Sequence, residues 1–239
     1  MKKCLFIILI FIFASGAYAQ QFKLIGGLNI SNYSNPWLDE WYWAADANYF
    51  QEYLSEGFWF IDVNFFRSPF RNSKTRFLAG IGTEFNLNDK IAIEIDVVYS
   101  QRGSTFTFYT PFFSTITEAY YMNGVSLPIL VKTRFLPHPF PYIIGGGEFS
   151  IILSHSRKTI ETGESGYFEI EENILRYTKR FDFGLVLGMG FEMKVSKVSC
   201  FLEGRYNLGQ RNLLTSGEYY PYFQTIKTCS LQILAGFKI

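Results

Sequence analysis

The chain has 239 residues with 22 basic and 21 acidic side chains, a net charge of +1 and a pI near 7.6. That balance offers no basic stripe for nucleic acid, and a mean hydropathy of +0.06 is far below that of a helical membrane protein. The unusual figure is the 19% aromatic content, from 26 Phe and 16 Tyr, roughly what strands girdled by lipid-facing rings would require.

Residues 1–19 read as an export signal. Lys2 and Lys3 form a positive n-region, and Leu5 to Ala14 is an apolar stretch too short to span. Ala17-Tyr18-Ala19 supplies the small-x-small cleavage site before Gln20. Nothing later in the chain is continuously apolar for the ~18 residues of a spanning helix, so any membrane is crossed by strands. The expected organisation is a signal peptide over 1–19 and one domain over 20–239. Cys4 precedes the apolar stretch and is incidental. Cys200 and Cys229 have no metal-ligand spacing or thiol motif around them.

The first strand, Gln21 to Ser31, sets Phe22, Leu24, Gly26, Leu28 and Ile30 against Lys23, Ile25, Gly27, Asn29 and Ser31. A long segment follows, about 32–73, holding Trp37, Trp41, Trp43 and Trp59. Within it Trp41, Ala45, Tyr49 and Tyr53 are spaced by four, which suits a short amphipathic helix. Lys74 to Arg102 then contains two alternating runs joined at Asn88-Asp89, residues that tolerate a two-residue turn. Ile91, Ile93, Ile95, Val97 and Tyr99 face one way, and Glu94 and Asp96 the other. A soluble sheet could bury the apolar face. The run lengths, near the 9–11 residues of a tilted spanning strand, and the acids inside them suit a membrane hairpin around a polar lumen.

Residues 103–117 read as a loop rich in Thr and aromatics. Strand four spans about 118–136, with Pro128 expected at a bulge. Pro137 to Pro141 forms a rigid connection. Strand five, about 142–154, carries Gly145-Gly146-Gly147, which would let neighbours approach closely. A polar loop covers 155–178. Strand six, Arg180 to Lys194, is the cleanest alternation, and a brief Val195-Ser196-Lys197 turn leads to strand seven. A loop over about 210–225 precedes the last strand, which ends at Ile239. The fold predicted is all-β, an eight-stranded antiparallel up-and-down transmembrane barrel. Its connections alternate long and short, as they do when short turns face the periplasm and long loops face outside.

The segments GGLNISNYS, AGIGTEFNLNDKIAIEIDVVYSQRG, SLPILVKTRF, FDFGLVLGMGFEM, FLEGRYNLG and LQILAGFKI, in that order, resemble the outer-membrane β-barrel domain of the PorT family, the porin-family proteins of Bacteroidetes-type bacteria. The resemblance spans nearly all of the mature chain and implies an eight-stranded barrel. It also implies an accessory place in a protein secretion apparatus, although most members have no assigned activity.

This register sends Glu84, Glu94, Asp96, Arg102, Lys132, Arg134, Glu148, Asp182, Glu192, Glu203 and Arg205 into the lumen, together with Lys23, Lys194 and Lys238. The signs balance, and an eight-stranded barrel is just wide enough for side chains to fill. A paired-charge plug is therefore expected rather than an open channel, whose filter would show one dominant sign. Trp37, Trp41, Trp43 and Trp59 read either as an interfacial belt or as a recognition surface for glycan, peptide or protein.

Catalytic candidates are few. Ser154-His155-Ser156 lies where strand five leaves the membrane, with Glu148 on the same strand, but neighbouring strand residues face opposite sides. The expectation is no enzyme, no cofactor and no metal. The expected role is structural or binding, with PorT-like accessory function, a narrow porin and a lipid-modifying enzyme as alternatives. Outer-membrane lipid and envelope or secretion proteins are the expected partners, in a monomer exported to the bacterial outer membrane, with no nucleic acid.

Overall fold

A computed structural model describes residues 21–34, 70–109, 115–135, 140–163, 166–213 and 227–239. The signal peptide expected at 1–19, the helix expected around Trp41 and all four tryptophans lie outside them. The described residues form nine strands: β1 (Gln21–Ser34), β2 (Phe70–Asn86), β3 (Ile91–Tyr109), β4 (Thr115–Arg134), β5 (Phe140–Gly163), β6 (Gly166–Asn173), β7 (Phe181–Val195), β8 (Val198–Gly209) and β9 (Lys227–Lys238).

Eight of these strands close a barrel. Each pairs antiparallel with its sequence neighbour, β5 pairs with both β4 and β7, and β1 pairs with β9. Mutual backbone bonds between Phe22 and Ile239, at 2.8 and 2.9 Å, complete the seam. Stepping round from Gln21 through Glu84, Glu94, Leu130, Gly146, Val186, Asn207 and Ser230 returns to β1 at Ser31, ten residues on. A shear of that size tilts the strands by about 40° and leaves an interior narrow enough for side chains to fill. The outer face stays apolar. Leu185, Leu187, Met189 and Phe191 on β7 alternate with inward residues and are exposed, as are Leu24, Val131, Leu202 and Ile233 on other strands.

Several strands run further than the sequence suggests. The segment read as a Thr-rich loop is the outer half of the β3–β4 hairpin, since Thr105, Phe106 and Thr107 continue the period of two with strong strand formers. The polar loop expected over 155–178 is largely strand as well. β5 continues to Gly163 and folds back as β6, paired from Ser156–Asn173 to Gly163–Gly166. β6 lies outside the barrel, so β3, β4, β5 and β6 form a sheet standing beyond the apolar band, which is only about 25 Å tall in such barrels. The Trp-rich connection shortens to 35–69, because β1 reaches Ser34 and β2 starts at Phe70.

Local corrections follow the same physics. The β2–β3 connection is a four-residue turn, in which the Asn88 side-chain oxygen accepts from the Lys90 and Ile91 amides at 2.9 and 2.8 Å. Pro141, expected in a rigid connection, is in β5 opposite Phe191. Pro128 is not at a bulge. The β3–β4 ladder passes from Ile95–Ile129 to Val98–Ser126 without changing register, omitting the pairs that a missing N–H would serve. The bulge is instead on β5, where Leu153 is the extra residue between the Asn123–Ser154 and Gly124–Ile152 pairs. Ser196, in the β7–β8 turn, has φ of 60°, a left-handed conformation that costs a non-glycine residue about 1 kcal/mol. Ser196→Gly is expected to raise barrel stability by up to about 1 kcal/mol; a lower unfolding midpoint in urea, with the barrel in lipid vesicles, would count against this.

Candidate functional site

The candidate site is the barrel interior and the sheet that extends from it. Alternation along each strand sends one residue in two inward, and those rows stack in three charged levels between the periplasmic turns and the outer mouth. At the lowest level, Lys132 Nζ lies 3.2 Å from Glu84 and 2.5 Å from Glu192. Lys238 Nζ lies 2.5 and 2.7 Å from the same two carboxylates. Arg134 also pairs with Glu84 and donates to Asn86 at 2.7 Å. Two carboxylates from β2 and β7 are thus shared by cations from β4 and β9.

The next level is built around Arg205, which is 1% exposed. Its guanidinium reaches Glu94 at 2.5 Å, Asp96 at 2.8 Å and Glu203 on its own strand. Lys23 pairs with Glu94 and lies 3.7 Å from Asp96. Tyr142 links the two levels, its hydroxyl donating to Glu203 at 2.8 Å while Lys132 sits 3.8 Å above its ring. Small residues make the room. A Cβ on Gly190 would fall 2.4 Å from the Tyr142 ring, and one on Gly82 would fall 2.0 Å from Asp96 Oδ1.

Above this, Arg102 pairs with Glu148 at 2.5 Å, and Ser150 donates to the same carboxylate at 3.1 Å. Asp182 has no cation on it among the described residues. It accepts from the Thr228 hydroxyl at 2.9 Å and from the Phe183 amide at 2.8 Å. The buried acids among the described residues number seven against six lysines and arginines, and Asp182 is the one carried by neutral donors. Lys194, expected in the lumen, is exposed beside the β7–β8 turn, below the last level of the interior.

The outer mouth is lined differently. Tyr33, Phe106, Tyr120, Met122, Ile152, Ile174 and Leu213 form an apolar cluster, with a short 3-10 turn, Leu175–Tyr177, packed on it. His155 is buried within it. Thr178 Oγ1 donates to the Ile174 carbonyl at 3.0 Å and so accepts from His155 Nδ1 at 2.7 Å, which leaves Nε2 to accept from the Tyr33 hydroxyl at 3.2 Å. The sequence period alone would turn His155 away from Glu148. The Leu153 bulge flips the alternation and brings it inside. Ser154 is bonded to Asn123 at 2.9 Å instead, so the serine, histidine and acid weighed as a hydrolase set do not meet. Sequence reasoning missed this whole layer, because Tyr33, Thr178 and Leu213 come from segments read as loop.

Outside, β6 is paired, among the described residues, only with β5, with Tyr167, Phe168 and Ile170 exposed. It is clipped to β5 by Lys158–Glu169 at 2.8 Å and Arg157–Glu172 at 2.7 Å, and Arg157 also reaches Glu118 on β4 at 3.3 Å. The hydrogen bond from Lys158, then that from Tyr167, holds the Glu169 carboxyl below its ordinary range. The same bond to Glu169 raises Lys158. Trp37, Trp41, Trp43 and Trp59, the expected external surface, lie outside the described residues.

Two outcomes are expected. Arg205→Met leaves Glu94, Asp96 and Glu203 short of a cation and should lower barrel stability by about 3–5 kcal/mol, the cost of orphaning buried charge, read as a shift in urea midpoint. In the hairpin, a lowered carboxyl contributes stability above its unfolded value of 4.5 and loses it as pH falls through the folded one. A raised lysine contributes below 10.5 and loses it as pH rises further. Amide exchange at β6 should therefore be slowest, after correction for intrinsic rates, between those limits and quicken on acidification while the barrel strands stay protected.

A family model described as "Outer membrane protein beta-barrel domain" matches residues 18–215. No curated protein matches the chain. Among solved structures it is similar to Ail, the attachment invasion locus protein of Yersinia pestis, at 10% identity and a TM-score of 0.36, covering 92% of this chain and 98% of that one. It is similar also to the Neisserial surface protein A, at 14% identity and 0.37, covering 91% and 96%. OprG from Pseudomonas aeruginosa follows at 12% identity and 0.38, covering 92% and 95%. Nothing about binding passes from them to this chain. It belongs to the outer membrane protein beta-barrel domain family, and its place is the bacterial outer membrane.

Proposed function

We propose that this protein is a plugged, non-conducting outer-membrane barrel that serves as a rigid platform for recognition outside the cell, without catalysis. The observation that supports the reading is the run of buried ion pairs and rings that crosses the interior from bottom to mouth. Ion pairs knit β2, β4, β7 and β9 at the bottom and β1, β3 and β8 above them, while an aromatic cluster containing His155 roofs the mouth. Opening a continuous water path would separate these buried pairs, at several kcal/mol each. What remains free to act is the external sheet. Its β6 edge offers backbone groups unpaired among the described residues, and exposed aromatics, the combination used when an extended partner segment adds a strand. The Trp-rich segment would add to that surface.

The resemblance to the PorT family supports a second, narrower reading, in which the partner is a component of a secretion apparatus. Crosslinking from intact outer membranes distinguishes the two: secretion proteins recovered with the barrel favour the narrower reading. Removal of residues 1–19 on export belongs to either one. Reconstituted in planar bilayers, the protein is expected to give no steady conductance. Stable nanosiemens-scale pores would overturn the plug, and lipid turnover that disappears on His155→Ala would overturn the absence of catalysis.

A further inference from the structure

The wall of the barrel is irregular at one place that the reading above does not use. Between Ser73–Ser104 and Leu78–Ser100 the β2–β3 ladder is interrupted, five steps of β2 standing against four of β3. The β3 backbone there is served from beneath by β1. Ser31 Oγ donates to the Gly103 carbonyl at 3.0 Å and accepts from its amide at 2.7 Å, and Asn29 donates to the Gln101 carbonyl at 3.0 Å. β2 is thereby lifted outward across β3. Its Lys74 stem crosses Gly103, where a Cβ would sit 3.4 Å from Lys74 Cδ.

The lifted segment delivers two cations to one ring on the outside of the barrel. Lys74 Nζ lies 4.0 Å and Arg76 Cζ 4.6 Å from the centroid of Tyr121, and Lys74 also donates to the Tyr121 hydroxyl at 2.9 Å. Among the described residues no carboxylate pairs with either cation. Other half-buried cations of the external sheet, Arg157 and Lys158, do have acids on them. Height matters as well. Arg76 is ten residues above the end of β2, so at about 3.3 Å per residue and a tilt of about 40° it stands roughly 25 Å above the periplasmic turn. That is where an apolar band of about 25 Å ends. Directly below it the Phe77 and Tyr99 rings are 5.9 Å apart, as at a membrane interface.

We infer that Lys74, Arg76 and Tyr121 form a binding site for the phosphate of an outer-leaflet glycolipid. Two like charges on one ring, half-buried at the edge of hydrocarbon, call for a divalent-like anion. A phosphate accepts from a planar guanidinium, an ammonium and a phenol at once, and the acyl chains of the same lipid would lie along the apolar wall beneath. A free phosphate would satisfy the cations but gain nothing from that wall.

The test uses the whole folded barrel in detergent micelles, with bound lipid counted by native mass spectrometry. The probes are bis-phosphorylated lipid A and the same lipid with both phosphates removed, with inorganic phosphate as competitor. The wild-type barrel should hold the phosphorylated lipid about tenfold more tightly than its dephosphorylated form. Lys74→Gln with Arg76→Gln should erase that preference while leaving the heat-modifiable mobility of a folded barrel intact. Equal retention of both lipids by the wild-type barrel would overturn the site, and needs no variant to fold. So would an undiminished preference in the folded double variant. Displacement of the lipid by equimolar inorganic phosphate would reject the glycolipid as the ligand.

Discussion

Everything in this barrel depends on the requirement that a charge enclosed by a closed sheet must meet a partner across the lumen. Glu84 from β2 is held by cations from β4 and β9, and Glu192 from β7 by the same pair. Those contacts exist only at one register, with a ten-residue shear. A slip of one residue on any strand would turn its charged row into lipid and its leucines into the lumen. The ion pairs therefore act less as a source of net stability, which buried pairs seldom supply, than as a lock on which residues face each other. Glycine completes the lock where Tyr142 must lie across Gly190 and Asp96 across Gly82.

Much of this was legible in the sequence because the period of two survives wherever one face meets lipid. The rows that carry Lys23, Glu94, Lys132, Glu192, Arg205 and Lys238 are inward as the alternation implies. Lys194 keeps the parity but not the burial, since alternation says which way a side chain points and not whether the barrel still surrounds it. The Leu153 bulge was not legible at all. One inserted residue leaves no mark in composition, yet it reverses every side chain after it, and His155 enters the mouth cluster for that reason alone. The outer strands were hidden by a different cause. Once both faces meet water, apolar alternation fades, and a run such as residues 155–163 reads as polar loop although its ladder with β4 and β6 is continuous.

The two ends of the interior are lined by different chemistry, and the difference follows from what each end joins. At the periplasmic end short turns join β2 to β3 and β7 to β8, and lysine stems from β4 and β9 span between the walls there. At the outer end β3, β4 and β5 continue upward while β1, β7 and β8 stop, so the mouth is lopsided. A lopsided opening is not filled by paired charges from facing walls. It is filled by rings and by the segment from Ile174 to Thr178 that folds over it, and Tyr33, Tyr120 and His155 pack edge to face or tilted in that space.

The position of the interrupted ladder follows from the membrane itself. Inside hydrocarbon, a strand that loses its neighbour leaves amides and carbonyls with nothing to bond, at several kcal/mol for each group. The β2–β3 pairing is unbroken from Asn86–Ala92 up to Leu78–Ser100, and it fails only above that point, where Ser31 and Asn29 replace the missing partners from within. A break is tolerable there because lipid headgroups and water begin there. It is also the height at which Lys74 and Arg76 stand on the outer wall with no acid beside them among the described residues. Bilayer thickness thus sets the level at which the sheet is free to be irregular, and the irregular segment is the one that presents charge to the lipid.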